Sequence, residues 1–277
     1  MLAKTLFYPY NYQNMKRYSL RRFFFKNIFR SIVQLAFVAA MVVIIWLILG
    51  FTGAHNICPW TIVEVPILVL RAGVGFFFIW GMIIGAAGIV MTCFYPRIFC
   101  GWFCPLGTLF EFIGDIGIKL HISSKRIPHW LNERMRVFSI GVLIFLVLGT
   151  IVRGTLVCTI ACPAFWICAA WKISVPIITV LFLLCWFILS IRVKRGFCRY
   201  VCPYGALTSF FVPISIHAIG KNLEVCNNCG LCAQACPMGI DFNVAFVVKS
   251  KHCIGCGDCL KSCPKDAFSW ISRKSSR

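Results

Sequence analysis

The segment Arg97-Ile-Phe-Cys-Gly-Trp-Phe-Cys-Pro-Leu-Gly-Thr-Leu109 returns 98 residues later as Arg195-Gly-Phe-Cys-Arg-Tyr-Val-Cys-Pro-Tyr-Gly-Ala-Leu207. Nine of the thirteen positions carry the same or a like residue, which marks a duplicated unit. A second echo lies upstream of each copy, Cys58-Pro59 against Cys162-Pro163 at an offset of 104. Each half therefore reads as an apolar run, a Cys-Pro loop, another apolar run and a CxxxCP motif. Both halves start on the same side, so the repeat is parallel, related by an axis along a membrane normal, with a site expected at the interface of the halves.

The four runs cover 31–51, 66–91, 136–155 and 174–191, each about the 20 helical residues that cross a hydrocarbon core. They account for an apolar content of 60% and a mean hydropathy of +0.85, which exclude a water-soluble globular chain and a disordered one. The first run is too long for a signal-peptide core and no small-x-small cleavage site follows it, so it reads as a retained anchor. The chain carries 28 Lys+Arg against 8 Asp+Glu, a net +20. Seven of the basic residues precede position 31, six lie in 92–136 and twelve from 192 onward, with none in 52–66. By the positive-inside rule both termini and the middle loop are cytoplasmic, in an inner membrane. The charge is then an address, and nucleic acid is not an expected partner.

After Leu207 the composition turns polar and cysteine-dense, so residues 1–212 read as a four-span membrane domain and 213–277 as a separate cytoplasmic unit, with Pro213 as a hinge. That unit contains Cys226-x2-Cys229-x2-Cys232-x3-Cys236-Pro237 and then Cys253-x2-Cys256-x2-Cys259-x3-Cys263-Pro264. This is the bacterial ferredoxin spacing, twice. Three thiolates of one run grip one face of a 4Fe–4S cluster, and the fourth, before proline, ligates the other cluster. The assignment is Cys226, Cys229, Cys232 and Cys263 to one cluster, and Cys253, Cys256, Cys259 and Cys236 to the second. Zinc also uses CxxC pairs, but two full runs of this kind point to iron–sulfur.

In the CxxxCP motifs, the three-residue gap puts Cys100 and Cys104, and equally Cys198 and Cys202, one helical turn apart. Joined by the repeat, the four thiols suit a third cluster shielded by Trp102 and Tyr200, redox-active dithiols, or a structural role. The outer loops carry Cys58, Cys158, Cys162 and Cys168, which suit disulfides or an outward-facing metal site. Cys93 and Cys185 read as packing residues. None of the five histidines lies in a predicted span, which excludes a haem b held by transmembrane histidine pairs. Glu64 and Arg71, seven apart, fall on nearly one helix face; they can serve a quinone headgroup, or Arg71 can snorkel to the interface. Glu111 and Asp115 read as the solvated face of an amphipathic stretch.

With four spans, two CxxxCP motifs and paired ferredoxin runs, the chain resembles the NapH-type polyferredoxins, relatives of the membrane part of NosR and of CcoG-type proteins. The resemblance rests on residues 99–109, 198–207 and the two cysteine runs. It implies an all-α membrane bundle of four transmembrane helices in two parallel repeats, followed by an α+β ferredoxin domain. It further implies a quinol dehydrogenase component that passes electrons between the quinone pool and a redox partner, often with a companion ferredoxin-type subunit. Two alternatives are an assembly factor that reduces a metal ion or partner thiols, and a passive redox anchor.

Overall fold

The computed structural model describes residues 28–44, 58–72, 79–120, 129–154, 177–240, 242 and 250–273. In chain order the helices are α1 (Ile28–Ile44), α2 (Thr61–Ala72), α3 (Ile79–Phe94), α4 (Ile98–Trp102), α5 (Pro105–Lys119), α6 (His129–Arg153), α7 (Ile177–Arg192), α8 (Gly196–Tyr200) and α9 (Pro203–Ser209). A 3-10 turn over Val212–Ile214 leads to β1 (His217–Lys221), α10 (Leu231–Ala235), α11 (Asp258–Ser262) and β2 (Phe268–Ser272). Among these, Leu131–Arg153 within α6 is long and apolar enough to cross a membrane alone, whereas α1, α2, α3 and α7 are apolar but shorter.

The apolar run 66–91 was expected to form one span, and the structure corrects this. It is divided between α2 and α3, which lie side by side. A methyl group at Gly85 would run into the Pro59 carbonyl and lie 2.9 Å from Ile62 Cβ. In one straight helix residues 62 and 85 would be about 35 Å apart. The two helices instead form a hairpin, and the segment between them contains Gly73 and Gly75.

The two halves meet where α5 packs on α7. A side chain at Gly117 would run into the Ile191 carbonyl, and one at Gly114 would meet Lys194. Bare glycine backbone lets the helices approach this closely. Beneath them, Phe110, Phe197, Tyr200 and Val201 form a buried cluster, with the Phe110 and Phe197 rings stacked at 5.3 Å.

In the C-terminal unit β1 and β2 pair antiparallel, His217 opposite Ser272 through Lys221 opposite Phe268. Each cysteine run has the same local form. Gly230 (φ 71°) and Gly257 (φ 76°) start the short helices α10 and α11 in the left-handed region that glycine tolerates best. Cys236 and Cys263 then leave those helices extended, as a residue before proline must.

This unit is not a separate domain on a free hinge. The Ile216 amide donates to the Cys93 carbonyl at 2.8 Å, and the Arg273 guanidinium donates to the carbonyl of Pro213 at 2.6 Å. The His217 ring stacks on Tyr95 at 4.5 Å and Trp270 meets Tyr95 edge-on. Trp102 Nε1 donates to the Gly255 carbonyl at 3.1 Å. A methyl at Gly101 would strike the Ile254 carbonyl, so the first CxxxCP loop and the second cysteine run are in backbone contact. Composition changes at 213 because the chain leaves the apolar layer, yet polar and aromatic contacts hold the unit against the helices.

Candidate functional site

The two CxxxCP motifs fold alike. Arg97 (φ 42°) and Arg195 (φ 53°) stand left-handed before α4 and α8. Cys104 and Cys202 cap α5 and α9 in extended conformation, held there by Pro105 and Pro203 at the first helical position. Their sulfurs accept from the Gly107 and Gly205 amides at 3.4 and 3.5 Å. The arginines cross between halves: Arg195 Nη1 donates to the Cys100 carbonyl at 2.6 Å, and Arg97 Nη2 lies against Gly205.

All four thiols lie within one another's field. Burial first, then Cys100, raises Cys104 to about 11. Burial, then Cys100 and Cys104, raises Cys202 to about 12. Burial, then Cys202 and Cys104, lifts Cys198 well above the ordinary range. As bare thiols Cys104, Cys198 and Cys202 stay protonated, so taking up metal would displace their protons. The expected shield is corrected for Trp102, which faces Gly255. Tyr200, whose hydroxyl donates to Asn132 at 3.0 Å, belongs to the buried cluster against which Cys198 and Cys202 pack. Phe99, Tyr204, Trp60 and Leu146 form the buried cluster against which Cys100, Cys104 and Cys202 pack.

In the C-terminal unit Cys236, Cys253, Cys256 and Cys259 line one small apolar pocket with Ile219, Met238, Ile240, Phe242 and Ile254. The fourth cysteine of the first run thus sits with three of the second. Conversely, Cys232, raised to about 11 by burial, also feels Cys229 and Cys263. Cys229 is exposed and Cys226 half-buried. Cys100 packs against the same core as Cys253 and Cys256, so the thiol groups adjoin in the order CxxxCP site, second cysteine run (253–263, the inner run), first cysteine run (226–236, the outer run).

Charged residues that the sequence did not single out surround this junction. Arg30 donates to both Asp258 oxygens at 3.1 and 3.0 Å and to Glu111 at 2.6 Å. Arg195 reaches Glu111 through Nε at 3.0 Å and Nη2 at 2.5 Å. The Gly101 carbonyl accepts from Arg30 and Gln34, both at 3.0 Å. Glu111 is therefore not on a solvated face; burial opposes its ionisation, but Arg195 and then Arg30 outweigh burial and lower its pKa to about 2. Asp115 is paired with Lys194. Burial, then Arg136, Arg97 and Arg199, lower His252 to about 3 and keep it neutral. Arg97 and Arg195 were visible inside the repeat, whereas nothing local marks Arg30 or Asp258, or shows that Glu111 is paired.

Glu64 is fully buried on α2 and accepts from the Thr150 hydroxyl at 3.1 Å. The Arg71 side chain and Cys158, Cys162 and Cys168 lie outside the described residues. Cys58 is half-buried and packs on the Trp60 cluster. Cys185, expected to be a packing residue, is instead exposed on α7.

The model of a 4Fe–4S binding domain matches residues 76–123 and 175–220, one copy per CxxxCP motif, and the model of a 4Fe–4S dicluster domain matches 218–267. The putative electron transport protein YccM of Escherichia coli is 31% identical over 188 residues, which are 63% of this chain and 50% of YccM. Protein MJ0750 of Methanocaldococcus jannaschii is 30% identical over 68% of this chain and 78% of its own length. The ferredoxin-type protein NapH of Haemophilus influenzae is 28% identical over 56% of this chain and 53% of NapH. The chain belongs to the NapH- and NosR-related ferredoxin-type proteins. The family is one of iron–sulfur electron-transport proteins, and the C-terminal unit of this chain is a 4Fe–4S ferredoxin domain. It spans half the length of YccM. No solved structure matches it. The NapH-type motifs fit iron–sulfur chemistry here by donor set, since buried cysteines in an apolar shell are soft ligands in a low-dielectric site.

Proposed function

We propose that this protein is a membrane-bound electron carrier that exchanges electrons between the quinone pool and a redox partner on the cytoplasmic side. Cys226, Cys229, Cys232 and Cys263 hold one 4Fe–4S cluster, and Cys253, Cys256, Cys259 and Cys236 hold a second. Cys100, Cys104, Cys198 and Cys202 hold a third, a placement supported by the 4Fe–4S binding model over both motifs. When bound, such clusters supply one-electron redox chemistry. The chain's residues fix the ligands, exclude water through Phe99, Tyr204 and Met238, and compensate anionic charge through buried arginines.

The single observation that carries this function is contiguity: Gly101, one residue after a ligand of the CxxxCP site, is in backbone contact with Ile254, one residue after a ligand of the inner run. An inner membrane, with the paired cysteine runs on its cytoplasmic side, remains the proposed setting. The broad apolar exposure of α1, α6 and α7 supports it, with Phe145 68%, Val152 76% and Ile177 78% exposed. Glu64 is the proposed proton partner of the quinol, buried beside the cluster of apolar residues that touches Cys100 and Cys104.

The test is stopped-flow mixing of menaquinol with the iron-loaded protein in liposomes. Quinol-dependent bleaching of the iron–sulfur absorbance is expected, lost in Cys104→Ala, with about twelve iron atoms per wild-type chain for three four-iron clusters. No bleaching in either direction would remove the quinone from the proposal. An iron content near eight would remove the third cluster.

A further inference from the structure

The two halves of the repeat treat their leading arginines differently. Arg195 crosses into the first half, where Glu111 meets its charge. Arg97 makes the corresponding crossing into the second half, where the residue 98 positions after Glu111 is Ser209. Among the described residues no carboxylate pairs with Arg97. Around it lies a small pocket, lined by Arg97, Arg136, Arg199, Ser209 and His252 and bordered by Cys198 of the second CxxxCP motif. Arg97 is 3% exposed and Arg136 5%, yet the Nε atoms of Arg97, Arg136 and Arg199 are all buried with no acceptor among the described residues.

A buried guanidinium edge needs an acceptor at hydrogen-bonding distance. The thiols of Cys202, Cys236 and Cys253 act on these arginines through space, but a distant charge does not satisfy a directional donor. The existing partners are already fixed on other atoms: Arg136 Nη1 on Glu133 and Nη2 on the Met238 carbonyl, and Arg199 Nη2 on Asn132. We propose that this pocket is an oxyanion site that takes a phosphate group in the place Glu111 fills in the other half. The donors arrive from three elements, the turn before α4, α6 and α8. That suits tetrahedral phosphate oxygens better than a planar carboxylate. The phosphate is inorganic, or it belongs to the headgroup of an anionic lipid.

The experiment uses the full-length, iron-loaded protein. Inorganic phosphate is titrated calorimetrically into the detergent-solubilised protein, and native mass spectrometry records phosphatidylglycerol retained from nanodiscs of phosphatidylcholine with phosphatidylglycerol. Wild type is expected to bind one phosphate group. Arg97→Gln weakens binding by about tenfold or more, the loss of one charge-assisted contact. Ser209→Glu supplies an internal carboxylate and abolishes binding, whereas Ser209→Gln stays within about threefold of wild type. Each variant is first matched to wild type in iron content, and if one fails to load, the other carries the comparison. Calorimetric phosphate binding identifies the free anion, and retained phosphatidylglycerol without phosphate heat identifies the lipid; both support the site. Absence of both, or binding indifferent to Ser209→Glu and Arg97→Gln, overturns it.

Discussion

Replacing Glu111 by glutamine keeps the shape of the side chain but removes the charge that two buried arginines share. The Glu111 carboxyl is 14% exposed and titrates near 2 rather than its ordinary 4.5. Its folded-state pKa is depressed, so its contribution is present in full above about pH 4.5 and is lost as pH falls through about 2. A shift of this size corresponds to about 3 kcal/mol at neutral pH, falling to about 1 kcal/mol near pH 3. Losses on breaking a buried ion pair are typically about 3–5 kcal/mol, in the same range. The assay is urea unfolding in detergent followed by intrinsic fluorescence, comparing wild type with Glu111→Gln from pH 7 down to pH 3. The stability difference should shrink as pH falls. A neutral-pH loss below about 1 kcal/mol, or a difference that does not depend on pH, would refute the view that Glu111 is held ionised between Arg30 and Arg195.

Two further perturbations address the junction and the ligands. Gly101→Leu forces a side chain into the Ile254 backbone; it should cost at least about 1–3 kcal/mol and expose the C-terminal unit to limited proteolysis, whereas unchanged protection would show that the contact is not needed for docking. Cys229→Ser should remove one cluster's signal from the paramagnetic resonance spectrum and leave the other, because Cys229 belongs to the outer run alone; an unchanged spectrum would sink that assignment.

The parts legible in sequence are those where spacing alone dictates geometry. Three residues between Cys100 and Cys104, and proline after the second, suffice to place a cap and an extended cysteine, so the two motifs fold alike. The CxxCxxCxxxCP runs are equally local, and the structure brings Cys236 to Cys253, Cys256 and Cys259 as the spacing implies. What could not be read depends on partners far away in sequence. Glu111 and Asp115 have the pattern of an exposed helix face, because nothing nearby reveals that Arg30, 81 residues upstream, and Arg195, 84 downstream, close over Glu111. Arg30 counted as a topogenic charge, yet it is 2% exposed and bridges two acids. The run 66–91 has hydropathy enough for a span, and hydropathy carries no record of direction, so the reversal that lays Gly85 against Pro59 was invisible.

The equivalent of Gly101 in the second half is Arg199. Where the first half presents bare backbone to Ile254, the second presents a guanidinium, which lies against Gly239. A duplicated scaffold with a thiol pair on each side would in principle offer two equal exits. One substitution at paired positions breaks that equality: Cys100 packs into the core of the ferredoxin domain, and its counterpart Cys198 packs instead among Phe110, Phe197 and Tyr200. The twofold pattern inherited from duplication is thus broken where it meets the ferredoxin domain, one half offering it a cysteine and bare backbone and the other a guanidinium.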